Sequence, residues 1–279
     1  MGQDVKLGDV GMLQRRRGIR ELVVGPLVAI IVTLGILAVT GGLLALLEPS
    51  RTASTSISST IPSTGARTID RGAYGSGTLG SWQNLLRRIS SEQEIQDALV
   101  FNGIFLFGDS LAVQDGKALE TLIRNRTGDS VAVHDWSGQP TSAAVDALAD
   151  WERRFGLPSR IVMAVGSNDI FDPPAFAAQV ERAMHIAGPS RTVLWVNVHV
   201  SRVRVPADIR AADESNSAWI NLQLEHAAVR HPNLRIIRWA AYLASQPDGP
   251  AAHLRDGIHT SPLGRNARNE LILRAILAH

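Results

Sequence analysis

An uncharged apolar run near the N-terminus constrains the architecture of this chain more than any other feature. Residues 22–47 carry no charged side chain over 26 consecutive positions. About 20 apolar residues suffice for a helix to cross the hydrocarbon core of a bilayer. A helix of this length on the surface of a globular domain would need a polar face, which this run lacks. We therefore predict one transmembrane helix at residues 22–47.

The flanks of this run favour an uncleaved signal anchor over a cleaved signal peptide. A signal peptide has a shorter apolar region of about 7–15 residues and a small-residue cleavage site, which the segment around Leu47 does not offer. Four arginines precede the run, at positions 15, 16, 17 and 20. Because basic residues beside a span stay in the cytoplasm, residues 1–21 are predicted to be a cytoplasmic tail and the remainder to be extracytoplasmic.

A linker is predicted to follow the span, over residues 48–80. Between Arg51 and Thr68, ten of eighteen residues are Ser or Thr, and glycines recur from Gly72 to Gly80. Such a composition cannot bury enough apolar surface to offset the entropy lost on ordering. The linker would therefore separate the membrane from a domain at residues 81–279.

Charge and cysteine content exclude several classes of protein. The chain has 28 basic and 26 acidic residues, and residues 1–47 account for the whole excess of two positive charges. The outer part is therefore neutral, so we expect no nucleic-acid partner. The chain has no cysteine, which excludes disulfide scaffolds, zinc–thiolate sites, iron–sulfur clusters and a cysteine nucleophile.

Short apolar runs alternate with amphipathic segments in the outer domain. Helical spacing from Trp82 to Val100 predicts a first helix, with a capping box at Ser91 and Glu94. The predicted strands are Ile104–Phe107, Ser130–His134, Arg160–Val165, Thr192–Val198 and Leu234–Trp239. The other predicted helices are Leu111–Arg126, Ser142–Phe155, Pro174–Ile186, Asp213–Arg230 and Leu263–Leu277. This alternation predicts an α/β domain with a parallel sheet covered on both faces, whose ligands bind at the carboxyl ends of the strands.

The first reactive side chain expected at that edge is Ser110. It follows the strand-like run at 104–107 and begins the next helix, so its hydroxyl would be exposed and its own N–H would point toward a bound substrate. The helix dipole favours a developing negative charge there. Because Asp-Ser also serves as an ordinary helix cap, this motif alone leaves both interpretations open.

Two further loops carry polar side chains suited to acyl transfer. Asn168 follows the third strand and can donate its amide to an oxyanion, although residues 166–169 also have the composition of a plain turn. Asp256 and His259 are three residues apart, so in a tight turn the carboxylate can accept the Nδ1–H and leave Nε2 as a base. His253 nearby allows a metal-site interpretation, but no third suitably spaced ligand supports it.

With these motifs, residues 100–279 resemble the SGNH, or GDSL, family of serine esterases and acyltransferases. The first block of that family is matched by residues 108–111, with Ser110 at the position of the nucleophile. The third block, Gly-x-Asn-Asp, is matched by Gly166 to Asp169, and the fifth, Asp-x-x-His, by Asp256 to His259. The second block is a glycine after the second strand, for which Gly138 is the best and looser match.

The resemblance implies a flavodoxin-like, three-layer α/β/α fold with a five-stranded parallel sheet. It implies a catalytic triad of Ser110, His259 and Asp256. It also implies an oxyanion hole formed by the N–H groups of Ser110 and Gly138 and by the side chain of Asn168. The reaction would proceed through an acyl-enzyme and would need no metal and no cofactor.

A finer resemblance concerns the substrate. The runs Arg235–Ala241 and Asp256–His259 are similar to SGNH domains attached to membrane acyltransferases of bacterial envelopes, including peptidoglycan O-acetyltransferases. Arg238 departs from the Asp that is frequent there, and this chain has one predicted span in place of a multi-span module. The implied function is a membrane-anchored, extracytoplasmic esterase that removes small acyl groups, acetyl above all, from envelope glycans or glycolipids.

Two alternatives remain open at this point. The first is an O-acyltransferase that uses the same triad, for which a separate membrane acyltransferase would supply the acyl group. The second is a binding domain that keeps the fold without catalysis. The intact Ser110, Asn168, Asp256 and His259 argue against the second alternative.

Overall fold

The computed structural model describes residues 70–279. The predicted cytoplasmic tail, transmembrane helix and linker up to residue 69 lie outside the described residues. Within 70–279, no helix has both the length and the apolar character that crossing a membrane requires.

A six-stranded sheet forms the centre of the domain. Its strands are β1 (Arg87–Ile89), β2 (Ile104–Gly108), β3 (Val131–Trp136), β4 (Arg160–Ala164), β5 (Thr192–Val196) and β6 (Leu234–Ile237). They are ordered β1-β3-β2-β4-β5-β6. Strands β2 to β6 pair in parallel, whereas β1 is antiparallel to β3 at the edge. The five predicted parallel strands are confirmed, and the antiparallel edge strand was not predicted.

Among residues 70–279, seven α-helices accompany the sheet. They are α1 (Glu92–Val100), α2 (Ser110–Thr127), α3 (Thr141–Phe155), α4 (Pro173–Ala187), α5 (Ala207–Arg230), α6 (Trp239–Ser245) and α7 (Pro262–Leu277). Short 3-10 helices lie at Asp169–Phe171 and Gly249–Ala252. The predicted helices after the first are confirmed to within one residue at each end, except that α5 begins six residues before Asp213.

Two hydrophobic cores, one on each face of the sheet, produce the three layers. Phe105 and Phe107 of β2 pack with apolar side chains of α1, α3, α4 and α5. Ile104 and Leu106 of the same strand pack with those of α2, α6 and α7. Because successive side chains of a strand point to opposite faces, a fully apolar strand serves both cores. This is the α/β/α arrangement that the sequence predicts.

The predicted helix at 82–100 is wrong in its first half. Arg87–Ile89 forms strand β1, and α1 begins only after Ser91. The capping box is confirmed, since the Ser91 hydroxyl accepts from the Glu94 N–H at 3.3 Å and the Glu94 carboxylate accepts from the Ser91 N–H at 2.7 Å. Arg88 of β1 forms an ion pair with Glu120 of α2. Pairing with β3 and this long-range ion pair therefore override the local helical spacing.

Two strand ends also differ from the sequence prediction. Strand β5 ends at Val196 rather than Val198, and β6 ends at Ile237. Trp239, predicted as the end of β6, instead begins helix α6. The Asn197 side chain accepts a hydrogen bond from the Ala240 N–H at 2.8 Å, which holds the start of α6 beside the end of β5.

Residues 70–86 pack along the domain before β1, and we call them the N-terminal strap. Ser76 in the strap is 1% exposed. Its carbonyl accepts from Arg202, and its hydroxyl accepts from Asn216 of α5 at 2.9 Å. Arg71 forms an ion pair with Asp208 of α5 at 2.7 Å. Residues 70–80, which the sequence assigns to the linker, are therefore in contact with α5.

Candidate active site

The turn between β2 and α2 presents Ser110 at the carboxyl edge of the sheet. Asp109 caps helix α2, and its Oδ1 accepts a hydrogen bond from the Leu111 N–H at 3.0 Å. Gly108 is required before it, because a Cβ at that position would lie 2.1 Å from the Ala112 Cβ. The tight turn therefore leaves the partly exposed Ser110 at the first position of the helix.

Ser110, His259 and Asp256 form a continuous hydrogen-bonded chain. The Ser110 Oγ lies 3.0 Å from the His259 Nε2. The His259 Nδ1 lies 2.8 Å from the Asp256 Oδ2. The structure therefore brings together three side chains from two turns that are 146 residues or more apart in sequence. A nucleophile, a base and a group that orients the base stand in the order that acyl transfer needs.

Asp256 is held in its orientation by the backbone of its own turn. Its Oδ1 accepts from the N–H groups of Ile258 at 3.0 Å and His259 at 2.8 Å. Although partial burial raises the pKa of Asp256, hydrogen bonds from the backbone and ring of His259 outweigh it and hold that pKa below its usual value. The carboxylate is therefore ionised at neutral pH and fixes the Nδ1–H tautomer of the imidazole.

Asn168 and Gly138 come together through the backbone of Gln139. The Asn168 Nδ2 donates to the Gln139 carbonyl at 3.0 Å. An amide nitrogen carries two hydrogens, so this bond orients the group and leaves its second N–H for another acceptor. The buried Gln139 side chain donates in turn to the carbonyl of Gly108. The loops carrying the two predicted oxyanion donors are thereby tied to each other and to the turn of Ser110.

Gly138 adopts a conformation that only glycine adopts without strain. Its φ is +77°, and a Cβ there would lie 2.9 Å from the Cβ of Trp82 in the strap. The neighbouring N–H groups of Ser137 and Gln139 donate to the carbonyls of Leu86 and Trp136. The sequence match for Gly138 was loose, and the backbone conformation now gives a physical reason for a glycine at that position.

Asp169, the last residue of the Gly-Ser-Asn-Asp motif, is hydrogen-bonded to the residue that follows Pro140. It is buried, and its carboxylate accepts from the N–H of Thr141 at 3.1 Å and from the Thr141 hydroxyl at 2.8 Å. Burial raises the pKa of Asp169 to about 7, against the opposing hydrogen bonds from Thr141. Asp169 thus links the loop of Asn168 to the start of α3, just beyond Gln139.

Sequence analysis missed that Asp109, next to Ser110, is buried and lies near a second buried charged residue, Arg268. Asp109 is completely buried, and burial raises its pKa, while the nearby positive charge of Arg268 in α7 lowers it. Arg268 is itself 2% exposed. Nothing in the local sequence around either residue indicates this proximity, because Asp109 caps α2 and Arg268 lies in α7, far apart in the domain sequence.

Two other predicted or noted residues lie outside this hydrogen-bonded chain. His253 is buried against the ring of Tyr242, with ring centroids 5.5 Å apart. In the part of the chain that the structure describes, no group of three or more His, Cys, Asp or Glu side chains could hold a metal ion. Arg238, which departs from the family's Asp, forms an exposed ion pair with Glu225 of α5.

Comparison with protein-family models and with curated proteins finds no match. Solved structures do match. A lipase/acylhydrolase from Enterococcus faecalis is 21% identical over 62% of this chain and 94% of its own, with a TM-score of 0.51. A GDSL-like lipase from Bacteroides thetaiotaomicron is 14% identical over 68% of this chain and 92% of its own, with a TM-score of 0.52.

A third match is the C-terminal catalytic domain of a peptidoglycan O-acetyltransferase from Streptococcus pneumoniae. It is 18% identical over 63% of this chain and 90% of its own, and its TM-score of 0.47 is too low to bear on the substrate. The matches above a TM-score of 0.5 establish the fold: the domain has the α/β/α fold of the GDSL, or SGNH, acylhydrolases.

Proposed function

We propose that this protein, whose described domain has the SGNH fold, is a serine hydrolase that cleaves esters through Ser110, His259 and Asp256. The hydrogen-bonded chain from the Ser110 Oγ to the His259 Nε2 at 3.0 Å, and from the His259 Nδ1 to Asp256 at 2.8 Å, carries this proposal. The fold by itself would not carry it, because one fold supports many functions and function must be argued from the site.

In the first half of the reaction, the Ser110 Oγ attacks the carbonyl carbon of the ester while its proton passes to the His259 Nε2. The carbonyl oxygen becomes an oxyanion, which the N–H groups of Ser110 and Gly138 and the Asn168 amide stabilise. The ester C–O bond then breaks, and His259 returns the proton to the departing alcohol. The acyl group is left on Ser110.

In the second half, water takes the place of the alcohol. His259 accepts one proton of that water as its oxygen attacks the acyl carbon, and the bond to the Ser110 Oγ breaks. The Ser110 Oγ recovers the proton from His259, which regenerates the starting site. Asp256 stabilises the imidazolium in both halves and does not itself take up the proton.

The proposed setting is the outer face of a cell membrane. The uncharged run at 22–47 and the preceding arginines support a single-pass anchor with a cytoplasmic N-terminus. The resemblance of the sequence to envelope acyltransferase domains supports small acyl esters, acetyl above all, on envelope glycans or glycolipids as substrates. No cofactor enters the proposed reaction.

Replacement of the nucleophile tests this proposal. In the full-length chain, Ser110→Ala is expected to lower kcat for p-nitrophenyl acetate by about 10⁴-fold, because no other group attacks the carbonyl. Ser245→Ala, at an exposed serine of α6, is the matched control and is expected to keep full activity. Hydrolysis that survives Ser110→Ala would refute the assignment, and absence of hydrolysis in the parent chain would favour a binding domain.

The same assay separates hydrolysis from acyl transfer. Both reactions share the acyl-enzyme, and they differ only in whether water or a sugar hydroxyl attacks it. Chitooligosaccharide is added during turnover, and the products are identified by mass spectrometry. We expect free acetate and no O-acetylated sugar. O-acetylated sugar as the main product would make the protein an O-acyltransferase.

A further inference from the structure

A cavity of about 450 Å³ lies beside the turn that carries Asp256 and His259. Part of its lining is formed by His199, Ser201 and Val203 in the loop between β5 and α5, and another part by Leu254 and Gly257. Its volume is within the range of about 300–1,000 Å³ that is typical of sites for small molecules. The reaction proposed above makes no use of this cavity.

The loop between β5 and α5 is hydrogen-bonded to the turn that carries Asp256 and His259. The N–H of Ser201 donates to the Gly257 carbonyl at 2.9 Å, and the N–H of Val203 donates to the Asp256 carbonyl at 3.1 Å. Gly257 has a φ of +87°, and a Cβ there would lie 1.7 Å from the Ser201 carbonyl oxygen. A ligand in the cavity would therefore rest against the same backbone that positions Asp256.

His199 connects the cavity with the two reactive loops. Besides lining the cavity, it borders a small gap that is also lined by Leu111, next to the nucleophile, and by Ser167, next to Asn168. His199 is therefore shared by the lining of the cavity and by that of a small gap beside the two reactive loops.

The charge of the lining favours a neutral ligand. It contains one acid, Glu214, and one base, Arg255, and both have partners. The carboxylate of Glu214 accepts from the Ser201 hydroxyl at 2.6 Å, and Arg255 donates to Gln114 of α2. Burial lowers the pKa of His199, against the opposing effect of Glu214, so its ring is neutral at neutral pH. A neutral imidazole offers one donor and one acceptor, which suits hydroxyl groups.

The remaining lining is apolar. Pro250, Ala251, Leu254 and Val203 contribute carbon surface, and Val203 is 54% exposed. A lining that combines hydroxyl-binding groups with apolar surface matches a sugar ring, which has polar edges and apolar faces. We propose that this cavity binds the sugar ring of the alcohol part of the ester, an inference that rests on the proposed esterase function.

The test obstructs the cavity and compares two substrates. Val203→Trp places an indole into the open space, and Val229→Trp, at an 86% exposed position of α5 outside the lining, is the matched control. The measured quantity is the ratio of kcat/KM for 6-O-acetyl-N-acetylglucosamine to that for p-nitrophenyl acetate. We expect Val203→Trp to lower this ratio at least about tenfold, mainly through KM, because the pocket excludes the sugar. The control is expected to leave it within about twofold.

A second pair of variants tests the hydrogen bond. His199→Phe removes both polar atoms and is expected to lower the ratio, whereas His199→Gln keeps a donor and an acceptor and is expected to retain most of it. An unchanged ratio in Val203→Trp, equal losses for both substrates, or a parent chain that hydrolyses p-nitrophenyl acetate but not the sugar acetate would overturn the proposal.

Failure of the proposed function is distinguishable from failure of this inference. Calorimetry can measure the binding of N-acetylglucosamine to the Ser110→Ala chain, and this measurement does not depend on catalysis. Loss of this binding in the double variant Ser110→Ala/Val203→Trp is expected. Binding that persists in the double variant would place the sugar elsewhere, whatever the outcome for Ser110.

Discussion

At the scale of single residues, Asn168 has the most specific role that the geometry defines. One hydrogen of its amide is held by the Gln139 carbonyl at 3.0 Å, which leaves the other for the oxyanion of the proposed reaction. We expect Asn168→Ala to lower kcat by about 10²- to 10³-fold, because the donor acts mainly on charge that develops in the transition state. Steady-state kinetics with p-nitrophenyl acetate would show this as a loss in kcat with little change in KM.

The control for Asn168 is a residue of the same type outside the site. Asn266→Ala, at an exposed position of α7, removes a similar side chain and is expected to leave kcat unchanged. A loss in KM alone for Asn168→Ala would mean that the amide binds the ground state and the transition state equally.

Asp169 gives the site a pH dependence of stability. Its pKa in the folded state is raised from 3.8 to about 7, primarily by burial. Between these two values the folded state binds more protons than the unfolded state, so this residue lowers stability as the pH rises. The slope is up to about 1.4 kcal/mol per pH unit.

Asp169→Asn is expected to remove this pH dependence while its amide oxygen still accepts from Thr141. The free energy of unfolding of the variant relative to the parent should therefore increase from pH 4 to pH 7. Denaturant titration of the detergent-solubilised chain at several pH values measures it. Asp248→Asn, at an exposed position, is the control for the loss of one negative charge. Parallel pH profiles for Asp169→Asn and the parent would show that Asp169 does not titrate in this range.

At the scale of elements, the N-terminal strap is part of the structure around the proposed oxyanion donors. Trp82 packs edge-on against Trp136, with ring centroids 5.0 Å apart. The Leu86 carbonyl accepts from the Ser137 N–H at 2.9 Å. The strap thus contacts the two residues that precede Gly138, so its loss would free the loop that carries the Gly138 N–H.

We expect Trp82→Ala to lower kcat by about 10- to 100-fold, because a small displacement of a donor weakens its bond to the oxyanion. Trp82→Phe keeps a ring against Trp136 and should recover most of the activity. Trp219→Ala, on the solvent side of α5, is the matched control. A drop in melting temperature without a change in kcat would limit the strap to a stabilising role.

At the scale of the whole molecule, the division of charge and hydropathy predicts a membrane protein with a neutral outer domain. The full chain is expected in the membrane fraction after an alkaline wash, because about 20 apolar residues anchor a helix in a bilayer. Deletion of residues 22–47 is expected to abolish this retention. A protease added to intact cells should release the domain by cutting the Ser/Thr-rich segment at 51–68. Protection from the protease would reverse the predicted orientation.

Local sequence patterns were sufficient for the parallel sheet and for the motifs of the candidate site. Buried parallel strands are continuous apolar runs, and the loops of Ser110, Gly138 and Asn168 follow β2, β3 and β4. The turn from Asp256 to His259 is equally local, since its hydrogen bonds span three residues or fewer. These features depend on neighbours in the chain, which is why the sequence alone determined them.

Only the tertiary structure decided the features that depend on distant partners. Strand β1 exists because it pairs with β3, although its own residues have helical spacing. The link from Gln139 to Gly108 joins residues 31 positions apart, and the charge of Arg268 in α7 acts on Asp109 although the two are distant in sequence. The cavity beside His199 forms between segments that no motif connects. A contact between distant residues depends on how the whole chain packs, and the local pattern of either partner does not contain that information.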